Sequence, residues 1–212
     1  MGRFTYEDVK PENQKLETYE WDNIWWEHAP DTEKKRVLIV GDSMTCGYRD
    51  VVNKVFDGEM FADGYGSSKA VDNPFLIPAL DLMIAQSNCS MILFNNGLHG
   101  FHLSVEEYKK YYLKIIDHFR EAYPDKKIVI ILTTPTREKD NLENIDKERT
   151  QNAIDRNKAA KEIAEKYGLG VIDLFSVLID ADYRLWRDIV HLTAAGNDIL
   201  GKFVADYIKK NI

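Results

Sequence analysis

From residue 36 onward, short aliphatic and β-branched runs alternate with longer segments of helical period, and this alternation restricts the chain to few folds. Strands are expected at 36–40, 59–62, 91–95, 128–132 and 171–174. Helices are expected at 45–56, 74–86, from Ser104 onward, 146–167 and 194–210. Ser104-Val105-Glu106-Glu107 has the capping-box pattern. Behind it Tyr108, Tyr111, Tyr112, Ile115, Ile116 and Phe119 recur with the 3.6-residue period. Gly168 is placed to end one helix and Thr193 to cap the last. Strands separated by helices imply right-handed crossovers and a parallel sheet covered on both faces. The expected fold is therefore α/β, a three-layer α/β/α flavodoxin-like domain with a five-stranded parallel sheet, spanning residues 31–212. Residues 1–30 read as an N-terminal arm packing on that body, with Trp21, Trp25 and Trp26 at helical spacing and their indoles buried against it.

Composition narrows the function. With 28 Lys and Arg against 35 Asp and Glu, the net charge of −7 disfavours a nucleic-acid surface. No apolar stretch approaches the ~20 residues that span a bilayer. The opening residues lack an apolar signal core, which places the chain as written in the cytoplasm. A mature periplasmic or secreted chain whose leader has been removed would read the same. Two cysteines, Cys46 and Cys89, give neither a disulfide framework nor a metal spacing, and five scattered histidines argue against zinc. No metal, cofactor or membrane span is expected, and the oligomeric state is not written in the sequence.

The expected chemistry lies in two short motifs. Gly41-Asp42-Ser43 follows the first strand, where a serine meets the free N–H groups and dipole of the next helix. Asp188-Ile189-Val190-His191 lies near the other end. A serine becomes a nucleophile when a base takes its proton and a third group orients the base. Asp188 and His191 supply those two roles on one turn, pointing to an ester-cleaving enzyme. The plainer alternative, that Ser43 only caps a helix, weighs less beside the distal pair. Ser43, the 63–68 loop, the Asn95 to Gly100 turn and Thr133-Thr134-Pro135 all fall beyond the carboxyl ends of strands, where such sheets bind ligands.

These blocks resemble the SGNH hydrolases, the GDSL esterase/lipase superfamily, over residues 36 to about 210. The resemblance implies that Ser43 is the nucleophile and its N–H part of the oxyanion hole, that His191 is general base and then acid, and that Asp188 orients it. It implies a second-block glycine, Gly66 in preference to Gly64, whose N–H completes the hole. The third block departs from the family's Gly-x-Asn-Asp. Registering Gly97 on the family glycine puts His99 in the asparagine position and Gly100 in the aspartate position. His99 is the favoured oxyanion donor, with Asn96 and then Asn95 in reserve, beside the reading that all three only order the turn. Asp42, Tyr48, Gly64 and Asn95 are candidate pocket residues, Arg49 and Trp186 weaker ones. The implied substrate is a small-molecule ester carrying a small acyl group, acetyl first, on a carbohydrate. A lipid or thioester acylhydrolase with the same triad, and a non-catalytic carbohydrate-binding descendant of the fold, are the alternatives.

Overall fold

The computed structural model describes residue 10 and residues 14–212; the arm's residues 1–9 and 11–13 lie outside the described residues. The elements run β1 (Asp22–Trp25), β2 (Arg36–Gly41), α1 (Ser43–Phe56), β3 (Phe61–Ser67), α2 (Leu76–Ser87), β4 (Met91–Phe94), α3 (Val105–Ala122), β5 (Lys127–Ile131), α4 (Lys147–Tyr167), β6 (Gly170–Ile172), α5 (Leu174–Leu178) and α6 (Ala194–Asn211). The sheet order is β1-β3-β2-β4-β5-β6. The five expected strands all occur and pair in parallel. Without β1 their order is the flavodoxin-like one, which reverses direction at β2.

The sheet differs from expectation at its edge. Residues 22–25 form a sixth strand, antiparallel to β3, so the helical spacing of Trp21, Trp25 and Trp26 does not make a helix. All four residues of β1 are exposed. With neither face buried, no period-2 alternation marked them as a strand.

Each central strand is apolar throughout because both its faces are covered. Val37 and Ile39 of β2 face α1, α5 and α6, joining Val52, Phe56, Leu178, Leu200 and Val204 in one core. Leu38 and Val40 face the opposite way, toward Leu80 of α2, Tyr112 and Ile116 of α3 and Ala160 of α4.

Helices α1 and α6 run side by side in the same direction and very close. A Cβ at Gly47 would lie 2.7 Å from the Asn197 side chain, and one at Gly201 would lie 2.4 Å from Val51 Cβ and 2.8 Å from the Tyr48 carbonyl. Both helices start at the carboxyl edge of the sheet, so this contact sets their first turns next to each other. Gly201→Val must push the helices apart, and we expect it to cost more than about 2 kcal/mol in urea unfolding. A variant as stable as the parent would contradict so tight a contact.

Candidate active site

Ser43 is the first residue of α1, and Asp42 caps that helix by accepting the Met44 N–H at 2.8 Å. A hydroxyl in this place faces the first N–H groups of a helix, which have no partner one turn earlier. Asp42 itself is 2% exposed. Burial pushes its carboxyl pKa up, and the charges of His99 and His191 with the Met44 N–H only partly offset this. Behind the Ser43 turn, Asp42, Thr45, Tyr48, Asn95 and Thr134 line a void of about 10 Å³. That is room for about one water.

The far end of the chain arrives at the same place. His191 Nε2 is 2.8 Å from Ser43 Oγ, and His191 Nδ1 is 2.9 Å from Asp188 Oδ2 and 3.0 Å from Oδ1. With Nδ1–H donating to the carboxylate, Nε2 is the lone-pair nitrogen that accepts the serine proton. Asp188 Oδ1 also accepts the N–H groups of Val190 and His191 at 3.0 and 2.8 Å. Partial burial alone would raise the Asp188 pKa, but these N–H donors and the imidazole outweigh it and hold the group below its ordinary value. Thr193, two residues on, caps α6. Ser43 and His191 are thus carried at the starts of the two helices that pack through Gly47 and Gly201.

The third-block turn is built around a buried cation absent from the sequence reading. Arg156 of α4 is 1% exposed. Its guanidinium donates to the carbonyls of Gly97 at 3.1 Å, His99 at 2.6 Å and Gly100 at 2.7 Å. Its guanidinium carbon lies 4.7 Å from the Tyr108 ring centre, and the Tyr108 hydroxyl donates to the Asn96 carbonyl. A second buried arginine, Arg137, braces the Asp188–His191 turn. Its backbone N–H donates to the Ile189 carbonyl at 2.8 Å, while its guanidinium lies 4.0 Å from the Trp186 ring centre and donates to the Ala181 carbonyl at 2.9 Å. Nothing but burial distinguishes either arginine from the chain's surface cations, so the sequence carried no signal for them.

Several expected site residues take other tasks. Gly64 and Gly66 lie inside β3, not in a loop. The Ser68 N–H donates to the Trp21 carbonyl. By strand alternation Gly66, two residues earlier, turns its N–H to the same neighbour, where it pairs with Asn23. On this register the Gly66 N–H is directed to β1. The two glycines instead make room for α1: a Cβ at Gly64 would meet Arg49, and one at Gly66 would lie 2.3 Å from Cys46 Sγ. Tyr48 is 1% exposed and packs in the core beside the void behind the Ser43 turn. Arg49 is buried against Gly64 and Trp25, and Trp186 beneath Arg137. Asn95 Nδ2 donates to the Ile131 carbonyl and Asn96 Nδ2 to the Lys69 carbonyl, at 2.9 and 2.8 Å. His99 Nδ1 is 2.8 Å from Glu17 of the arm. In the imidazolium form its Nε2–H is left for another acceptor.

Two stability effects follow. Arg156→Met strands three carbonyls, and we expect it to lower unfolding free energy by about 3 kcal/mol in urea titration, whereas a surface arginine costs little. The raised Asp42 pKa means the folded chain holds that proton more tightly than the unfolded chain does. Its contribution to stability is therefore complete at acid pH and is lost as pH rises above the carboxyl's unfolded value. Asp42→Asn keeps the cap without that cost. It should melt higher than the parent at pH 8, with the gap narrowing toward pH 4; a lower melting temperature at pH 8 would contradict the assignment.

The GDSL-like lipase/acylhydrolase family pattern matches residues 94–199, half the chain, covering the third-block turn and the Asp188–His191 pair but not Ser43. A comparison with curated proteins gives no match. Among solved structures the chain is similar to an acetyl xylan esterase, AlAXEase, at 18% identity and TM-score 0.66, covering 82% of this chain and 99% of that one. It is also similar to Est24, a carbohydrate acetylesterase from Sinorhizobium meliloti, at 17% identity and TM-score 0.66, with 84% and 100% covered. A lipase/acylhydrolase from Enterococcus faecalis aligns at 18% identity and TM-score 0.65, with 83% and 96% covered.

Proposed function

The chain belongs to the GDSL-like lipase/acylhydrolase family and is a carboxylic ester hydrolase; from that premise we propose that it cleaves small acyl esters, acetyl esters of carbohydrates foremost, through an acyl-Ser43 intermediate. The observation that carries this reading is the unbroken hydrogen-bonded chain from Ser43 Oγ through the His191 imidazole to the Asp188 carboxylate.

In the first half-reaction His191 Nε2 takes the Ser43 proton as Oγ attacks the ester carbonyl. Asp188 stabilises the imidazolium that forms. The tetrahedral oxyanion is held by the Ser43 N–H at the start of α1 and by His99, which in the imidazolium form donates from Nε2 while Glu17 accepts at Nδ1. Collapse breaks the bond to the alcohol, which leaves with the proton from His191. Water then attacks the acyl-serine, giving its proton to His191, and the acid is released as Oγ recovers that proton. Asn96 is the weaker candidate for the donor role because its amide already serves the Lys69 carbonyl.

The acetyl preference draws on the acetylesterase neighbours. A lipid acylhydrolase would instead keep or gain rate as the acyl chain lengthens. We expect 4-nitrophenyl acetate to be cleaved faster than the butyrate and the octanoate.

A fluorophosphonate probe at neutral pH tests the nucleophile. Labelling mapped to Ser43, and absent from Ser43→Ala, is the expected result; an unlabelled native chain would favour the non-catalytic reading. Asp188→Asn should lower kcat by about 10³-fold or more, because the imidazole loses the group that fixes its tautomer. His99→Ala should lower kcat by roughly 100-fold; an unchanged rate would move the donor role to Asn96.

A further inference from the structure

An open groove of about 680 Å³ lies between residues 16–21 of the arm and residues 98–102, with Arg149 at its end. The arm wall is tied down at several points. Trp21 N–H donates to Ser68 Oγ at 2.8 Å, and that hydroxyl donates to Glu20 at 2.7 Å. Glu17 pairs with His99 at 2.8 Å. Trp21 links the groove to the nucleophile. A Cβ at Gly66 would touch both the Asp42 carbonyl at 3.2 Å and the Trp21 ring at 3.5 Å, so the indole sits one side chain's width from the residue before Ser43. The His99 ring meets this indole edge-on, with 6.2 Å between ring centres.

The groove's walls carry a consistent chemistry. Tyr19 is 81% exposed on the arm and Phe101 is 47% exposed on the opposite wall. Exposed aromatic rings on the two walls of one groove mark a binding surface. Between and around them are hydrogen-bonding groups, among them the Arg149 guanidinium, 5.7 Å from the Phe101 ring centre. An acyl tail calls for a closed apolar channel, and this groove is open with polar groups between its rings. A pyranose fits that mixture, since its C–H faces stack on aromatic rings while its hydroxyls take hydrogen bonds around the rim.

We propose that this groove is the leaving-group subsite: it holds the sugar ring that carries the acetyl ester, stacked on Tyr19 and Phe101, with the N-terminal arm as its specificity wall. The assignment rests on the esterase reading of Ser43 and adds to it the place and partners of the alcohol half of the substrate.

The test uses the full chain and the double variant Tyr19→Ala/Phe101→Ala, with acetate release measured from glucose pentaacetate and from ethyl acetate. The ratio of the two kcat/KM values, sugar ester over ethyl ester, should fall ten-fold or more in the variant, the size expected from losing two stacking faces. A second arm removes turnover: glucose pentaacetate is titrated calorimetrically against Ser43→Ala with and without the two substitutions, and its affinity should also fall about ten-fold. An unchanged ratio, or an affinity indifferent to the two rings, overturns the subsite. Binding that depends on both rings in a chain whose parent releases no acetate would uphold the groove and remove the hydrolase reading, so the two failures are separable.

Discussion

The 2.8 Å hydrogen bond between Ser43 and His191 joins residues 148 positions apart, and the rest of the structure is arranged around that meeting. Neither side chain has reach to spare, so the contact depends on where α1 and α6 begin. Both start at the carboxyl edge of the sheet, and both are drawn together by glycines that allow backbone-close packing at Gly47 and Gly201. The sheet order reverses at β2, and Ser43 follows that strand at its carboxyl end, where such sheets bind ligands. A fold of this kind converts helix packing, spread over several turns, into the meeting of two side chains.

The loops that complete the site are fixed from beneath by buried cations. Arg156 collects three carbonyls of the 97–100 turn, and the Arg137 guanidinium takes the Glu143 and Ala181 carbonyls and rests on Trp186. Guanidinium groups suit this task because their fork of donors satisfies several carbonyls while their planes rest on aromatic faces. Buried backbone oxygens would otherwise be unpaired at the positions where the turns bend. Rigidity in these turns is what allows His99 to be held between Glu17 and Trp21.

Much of this was legible in the sequence because it rests on local rules. The apolar runs at Val37–Val40 and Met91–Phe94 mark central strands, the Ser104 capping box and the Thr193 cap start helices, and Gly41-Asp42-Ser43 with Asp188-x-x-His191 marks the reacting groups. What escaped depends on tertiary context. The 63–68 stretch reads as a turn because it holds Gly64 and Gly66, yet it is strand; those glycines serve Arg49 and Cys46 of α1, which local sequence does not reveal. Residues 22–25 pair with β3 without burying a face, leaving no periodicity to read. Tyr48 and Arg49, next to the serine in sequence, point into the body, and the arginines that brace the loops look like any surface cation.

The central claim is that Ser43, activated by His191 and Asp188, carries the acyl group between substrate and water. The most direct measurement is acid quenching during turnover of 4-nitrophenyl acetate, followed by peptide mass mapping. The account predicts one acetyl group, on the peptide containing Ser43, absent from Ser43→Ala. Turnover with no acetyl-protein, or with the acetyl group on another residue, would contradict it.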